Sequence, residues 1–229
     1  MSSSFTVLVP VYNEAQLVMP SLGRIDEFMR SWSSDYEILV IESGSTDGSA
    51  NLCDEAAAKW RSIRVIHEPT RTGYGSALRL GIWNATRSFL WVVTLDVPFP
   101  LESVFTAVPL LDTHDAVVSY RSRDPRGFGR RVQSTVYNLL LRLLLGLRFR
   151  HANSAFKVLR LSTVRAIPLT SAGWFIDAEL LYRLQERGAM CAVIGVPLID
   201  RSAGASTVRL GTWVGVLREL VRFRSLIRR

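Results

Sequence analysis

Four short runs carry side chains able to do chemistry. Val9-Pro10-Val11-Tyr12-Asn13-Glu14 closes an apolar stretch, and Pro10 would end its ladder. The flat ring of Tyr12 can stack on a base or a ribose. Taken alone, the same run is a strand-to-helix turn with Asn13 as N-cap. Glu42 opens Glu42-Ser43-Gly44-Ser45-Thr46-Asp47-Gly48-Ser49 and can accept hydrogen bonds from a ribose or a base N–H. The glycines of that run permit backbone approach, while its Ser and Asp would equally cap a helix. Gly73-Tyr74-Gly75-Ser76 opens a helix, and Gly-rich helix N-termini favour anions. Arg130 offers a forked donor suited to phosphate, and Ser134 lies four residues on, on the same helical face. The plain alternative for that last pair is a solvated basic turn.

Other chemistries are disfavoured. The glycine run is neither GxxxxGK[ST] nor a GxGxxG after the first strand, which argues against Walker-type ATP binding and a dinucleotide fold. His67, His114 and His151 lack metal spacing and read as surface or loop histidines. No Ser/His/Asp order can be defended. Cys53 and Cys191 make no zinc motif or disulfide framework, which suits a reducing compartment.

The elements that would position these residues alternate in the α/β manner. Residues 5–10, 36–41, 63–67, 89–95 and 116–120 read as strands, with helices at 15–31, 50–59 and 76–85. The predicted fold is α/β, with a mostly parallel central sheet flanked by helices. Ligands bind beyond the C-terminal strand ends of such sheets, so Tyr12, Glu42, Asp96 and Arg121 are expected to converge there. Beyond them lie a polar loop at 121–129, an apolar-faced helix at 132–147, a helix at 172–186 and a broken strand at 191–199. An amphipathic helix at 212–229 follows.

The 229 residues suit one domain with a modest appendage. Hydrophobic residues at 48% and charged ones at 21% exclude wholesale disorder. The excess of 28 Lys and Arg over 20 Asp and Glu gives +8, which can serve nucleic acid, an anionic membrane or a phosphorylated substrate. Basic residues interleave with Leu and Val rather than with exposed aromatics, so nucleic acid is not expected. The N-terminal residues lack a signal-peptide pattern, and no apolar run is long enough to span a bilayer.

In this order, VPVYNEA, ESGSTDGS, GYGSALRLG and LDVPFP resemble the inverting family 2 glycosyltransferases, which have the GT-A fold. Val118-Ser119-Tyr120-Arg121, Arg130-Arg131-Val132-Gln133-Ser134, Asn153-Ser154-Ala155-Phe156-Lys157 and Gly173-Trp174-Phe175-Ile176-Asp177-Ala178-Glu179 narrow the resemblance to the polyprenyl-phosphate (dolichyl-phosphate) mannosyl- and glucosyltransferases. It spans residues 5–210, with 211–229 as a basic amphipathic addition.

The resemblance implies a nucleotide diphosphate sugar donor, a polyprenyl phosphate acceptor and Mg2+ or Mn2+. Pro10, Tyr12, Glu14, Glu42, Ser43 and Gly75 would line the donor. Asp96 would hold metal and diphosphate, with Arg121 beside it. Arg130, Arg131 and Ser134 would take the acceptor phosphate. Asp177 matches an acidic position near the acceptor, and is the candidate base if the acceptor is a hydroxyl. The departures are specific. The family's paired acids are Glu42-Ser43 here, and its Asp-x-Asp is Thr94-Leu95-Asp96. His151 replaces an Asp, Ala155 a Gly, and Thr207 a Lys for which Arg209 could substitute.

The expected activity is hexose transfer to a lipid phosphate; a non-catalytic relative that binds lipid phosphate or a protein is the alternative. The expected location is the cytoplasmic face of a membrane, peripherally bound. Leu139, Leu140, Leu143, Leu144 and Leu147 with nearby arginines would make one contact. Residues 213–229 would make another, their last twelve holding five Arg against one Glu.

Overall fold

The computed structural model describes residues 4–199 and 210–227. The first half alternates strictly: β1 (Phe5–Val11), α1 (Ala15–Trp32), β2 (Tyr36–Ser43), α2 (Ser49–Lys59), β3 (Ile63–Glu68), α3 (Tyr74–Asn84) and β4 (Phe89–Val92). A short α4 (Val104–Ala107) sits between the 3-10 turns Leu101–Ser103 and Val108–Asp112. Then come β5 (Ala116–Arg121), α5 (Phe128–Leu145), β6 (Lys157–Arg160), α6 (Leu161–Arg165), α7 (Ile176–Glu186), β7 (Cys191–Val196) and α8 (Leu210–Ile227).

Among the described residues these strands form one seven-stranded sheet of order β3-β2-β1-β4-β6-β5-β7. Pairing is parallel except at β6, which runs antiparallel to both β4 and β5. The central strands are nearly continuous apolar runs because both faces are covered. Alternation along β1 sends Val7 and Val9 into a core shared with α1, α2 and Trp91, and Leu8 into a core shared with α3, α5, α7 and α8. The register sets Val11 opposite Glu42 and Ser43 opposite Glu68, so β1, β2 and β3 end together at one edge.

Several boundaries differ from the sequence expectation. β6 was hidden by its length: two apolar residues, Val158 and Leu159, lie between Lys157 and Arg160. β4 stops at Val92, so Asp96 lies beyond the strand, in a turn closed by the Val97 N–H to Thr94 O bond at 2.9 Å. α5 begins at Phe128, which puts Arg130 and Arg131 inside the helix rather than before it. α7 begins at Ile176, leaving residues 172–175 as a turn. Asn13 does not cap α1: it adopts φ 51°, and its side chain instead accepts the Thr46 N–H at 2.8 Å. α1 is capped from a distance, with Ser49 Oγ accepting the Glu14 N–H at 2.9 Å and Asp47 the Ala15 N–H at 3.0 Å. α8 lays Val216, Leu220 and Phe223 into the core. None of the described helices is long and apolar enough to cross a membrane.

Candidate active site

A cavity of about 480 Å3 opens at the C-terminal edge of the parallel strands. Pro10, Tyr12 and Glu14 reach it from the end of β1, Ser43 from β2, Thr94 and Asp96 from the turn after β4, and Arg121 from β5. β6 also contributes because its reversed direction brings its first residue, Lys157, to this edge. Arg126, Arg130 and Ser134 close the far side with Trp174 and Asp177.

At the β1–β2 end, the Arg71 guanidinium lies 4.0 Å from the centre of the Tyr12 ring, a cation–π contact inside the cavity lining. Sequence reasoning missed Arg71, which stands two residues before the glycine run without a motif of its own. Glu42 does not join the lining. Its carboxylate turns to the Ser45 N–H at 2.6 Å and to His67 Nδ1 at 2.9 Å. Burial works against its ionisation, but the bonds from His67 and Ser45 prevail and hold its pKa below the usual carboxylate range. Ser43 does line the cavity and donates to Glu68 Oε2 at 2.6 Å. The acid behind this position is therefore on β3, where no sequence expectation placed one.

Gly75 also falls outside the lining. Its N–H donates to Ala172 O at 2.7 Å, and a Cβ there would come within 2.6 Å of Ser171 O. The Gly-Tyr-Gly run thus admits a neighbouring backbone, and a carbonyl takes the N–H groups that an anion would have used.

Thr94 Oγ1 donates to Asp96 Oδ1 at 2.6 Å. Among the described residues no three His, Cys, Asp or Glu side chains gather as a metal cage. One carboxylate beside one hydroxyl would suit a hard cation provided that a diphosphate supplied further oxygen ligands.

The other end is cationic. Arg121 donates to Ser134 Oγ at 3.2 Å and to Asn153 O at 2.5 Å. Burial, helped by Arg126, lowers its pKa to about 10, so it remains charged at neutral pH. Arg126 forks onto Asp124 at 2.8 and 2.6 Å. The Arg121 N–H donates to His151 Nδ1 at 3.0 Å. Burial and the neighbouring Arg121 and Arg150 push His151 down to about 4, making it a neutral acceptor rather than an idle loop histidine. Lys157 and Asp177 pair at 3.2 Å with side chains only 2% and 7% exposed. Burial raises the Asp177 pKa, and the Lys157 ammonium opposes that rise. Arg130 and Ser134 share the cavity face of α5, whereas Arg131 is exposed outside the lining, displaced around the helix by one residue. Arg209 lies outside the described residues.

The opposite face of α5 is apolar and open to solvent. Phe128, Val132, Val136, Leu139 and Leu143 are exposed, Phe128 by 76% and Leu143 by 71%. Leu147, expected among the contact leucines, is instead buried, and Leu144 is half-buried against the core.

The family model described as Glycosyl transferase family 2 matches residues 6–167, well over half of the chain. The chain is 27% identical to an undecaprenyl-phosphate mannosyltransferase of Micrococcus luteus, over 89% of this chain and 87% of that one. It is 25% identical to a polyprenol monophosphomannose synthase of Mycolicibacterium smegmatis, over 97% and 91% of the two chains. Among solved structures, mannosyl-3-phosphoglycerate synthase from Rubrobacter xylanophilus superposes with a TM-score of 0.75 at 18% identity, covering 99% of this chain and 76% of that one. Glucosyl-3-phosphoglycerate synthase from Mycobacterium tuberculosis, solved with Mn2+ and UDP, gives 0.72 at 21% identity, covering 96% and 77%. At these identities the two structures establish the shared GT-A fold.

Proposed function

The chain belongs to glycosyl transferase family 2, and on that premise we propose that it moves a hexose from a nucleotide diphosphate sugar to a polyprenyl phosphate at a membrane surface. The observation that carries this reading is the two-sided helix α5. It offers Arg130 and Ser134 to the cavity and an exposed apolar stripe on its opposite face. An acceptor with an anionic head and a hydrocarbon tail needs both. The relatives named for undecaprenyl-phosphate and polyprenol products support the same acceptor class.

A phosphate is already an anion at neutral pH, so it can attack the anomeric carbon without a strong base. Asp177 would be the base for a hydroxyl acceptor, yet it is buried against the Lys157 ammonium. Catalysis then consists of positioning and of neutralising the leaving diphosphate. Tyr12 and Arg71 offer stacking and charge at the donor end, and Arg121 supplies a fixed cation between the two ends. Asp96 would hold Mg2+ or Mn2+, which when bound supplies charge neutralisation at the diphosphate. The α5 stripe and the arginines of α8 (Arg218, Arg222 and Arg224) support peripheral binding to an anionic membrane surface, and the proposed face is the cytoplasmic one.

The test is a screen of common nucleotide sugars with a short polyprenyl phosphate, with and without EDTA. Transfer is expected, and Arg130→Ala should raise the acceptor KM or lower kcat about tenfold or more with donor binding intact. Loss of donor binding alone would contradict the role of Arg130. Thr94 and Ser43, standing where the family has carboxylates, favour a second reading. Lipid-phosphate binding with no turnover on any donor would establish it.

A further inference from the structure

The backbone from Thr170 to Phe175 is held from three sides. Glu179 accepts the N–H groups of Thr170 and Ser171 at 3.0 and 2.7 Å. Ala172 O accepts from the N–H groups of Gly75 and Ser76, at 2.7 and 3.3 Å, at the head of α3. The third hold comes from α8. The Glu219 carboxylate accepts the N–H groups of Gly173 at 2.9 Å, Ala172 at 3.3 Å and Phe175 at 3.4 Å. These donors immediately precede α7, where backbone N–H groups lack intrahelical partners and a negative charge is favoured.

At Gly73 the approach requires glycine, since a Cβ there would lie 2.4 Å from the backbone Ala172 O; a Cβ on Gly173 would lie 2.8 Å from Glu219 Oε2 and would push the carboxylate aside. The turn so clamped carries Trp174, whose ring stacks on Tyr74 at 4.7 Å and 14° in the cavity wall. It leads directly to Asp177. Glu219 is the sole acid in residues 218–229, and its neighbours Val216, Leu220 and Phe223 anchor the helix in the core.

We propose that Glu219 is a positioning residue: by fixing the 172–175 turn it sets Trp174 and Asp177 in the cavity wall, which makes α8 a working part of the site. The inference rests on reading the cavity as the place of transfer. Tyr12 and Asp96 stand on elements that make none of these contacts, and only Arg71, in the loop that enters α3, adjoins the clamp, so the nucleotide end is held mainly from outside it.

The experiment compares Glu219→Ala, Glu219→Gln and Gly173→Ala with wild type, well below their melting temperatures. Gly173→Ala displaces the carboxylate without removing it and serves if Glu219→Ala fails to fold. The near-UV circular dichroism band of the Tyr74–Trp174 stack is identified as the one that Trp174→Phe removes. Glu219→Ala and Gly173→Ala should lose that band and lower kcat about tenfold or more, with Kd for UDP and GDP changed less than about twofold. Glu219→Gln keeps an acceptor for the Gly173 N–H and should fall between Glu219→Ala and wild type. A band retained in Glu219→Ala, or a band lost with kcat unchanged, overturns the proposal. If wild type transfers nothing to polyprenyl phosphate, the acceptor reading fails, and the band in Glu219→Ala alone decides the role of Glu219.

Discussion

Lys157 and Asp177 show how much a single residue's surroundings matter. Each is a poor guest in a protein interior alone, and together they are tolerated. Replacing one partner leaves the other charge buried. Lys157→Met and Asp177→Asn should each destabilise the protein by about 3–5 kcal/mol in chemical denaturation. The double variant Lys157→Met/Asp177→Asn should lose less than the sum of the single replacements. Strict additivity would show that the two charges do not interact. Asp177 was legible in the sequence as a candidate acid; its pairing was not. Lys157 lies twenty residues away on a strand too short to show a period, and only the reversed direction of β6 brings the two together. The same blindness applied to Glu42. Its place at a strand end was correctly inferred, but nothing in the local sequence says that His67 takes its carboxylate from the cavity.

His67 also works between elements. From β3 it bridges Glu42 on β2 and Asp54 on α2 at 2.9 and 3.1 Å. The Glu42 bond is the largest influence raising its pKa, with burial opposing and Asp54 assisting. A histidine whose folded pKa exceeds its unfolded value stabilises fully below the unfolded pKa of about 6.5, and the benefit fades as pH rises through the folded value. His67→Gln should therefore lose more stability relative to wild type at about pH 5.5 than at about pH 9. An equal loss at both would mean that the bridge is not charge-dependent. Elements with strong patterns were readable: the alternation from β1 to β4 follows from apolar runs punctuated by turn residues. The start of α5 was not, because Gly127 and Gly129 read as loop while the helix begins between them.

For the molecule as a whole, net charge and the exposed apolar stripe of α5 both bear on the proposed chemistry. With a net +8, binding to anionic liposomes should weaken as salt rises. Leu139→Gln/Leu143→Gln should reduce binding at every salt concentration while leaving the salt slope unchanged, because the doublet removes buried area rather than charge. Sedimentation with vesicles containing an anionic lipid measures both. If wild type ignores such vesicles at low salt, a soluble acceptor becomes the better explanation of the cavity. The fold class and the edge on which the site sits were legible from the first five strands. The wall built by residues 170–177 was not, since it depends on glycine contacts with α3 and on a carboxylate from α8, neither of which leaves a local signature.

The reversed strand β6 has a consequence for the chain as it is being made. Among the described residues β4 pairs only with β1 and β6, and β5 only with β6 and β7. A nascent chain that has not yet released residue 160 can complete β1 to β4, the half that would hold a nucleotide. It has no place for β5, and a chain that has not yet released residue 151 also leaves Arg121 without His151 or Asn153 to fix it. Synthesis thus imposes an order on the two ends of the cavity. The proposed donor end forms from strands already released, and the acceptor end waits for a strand that must be threaded between two others.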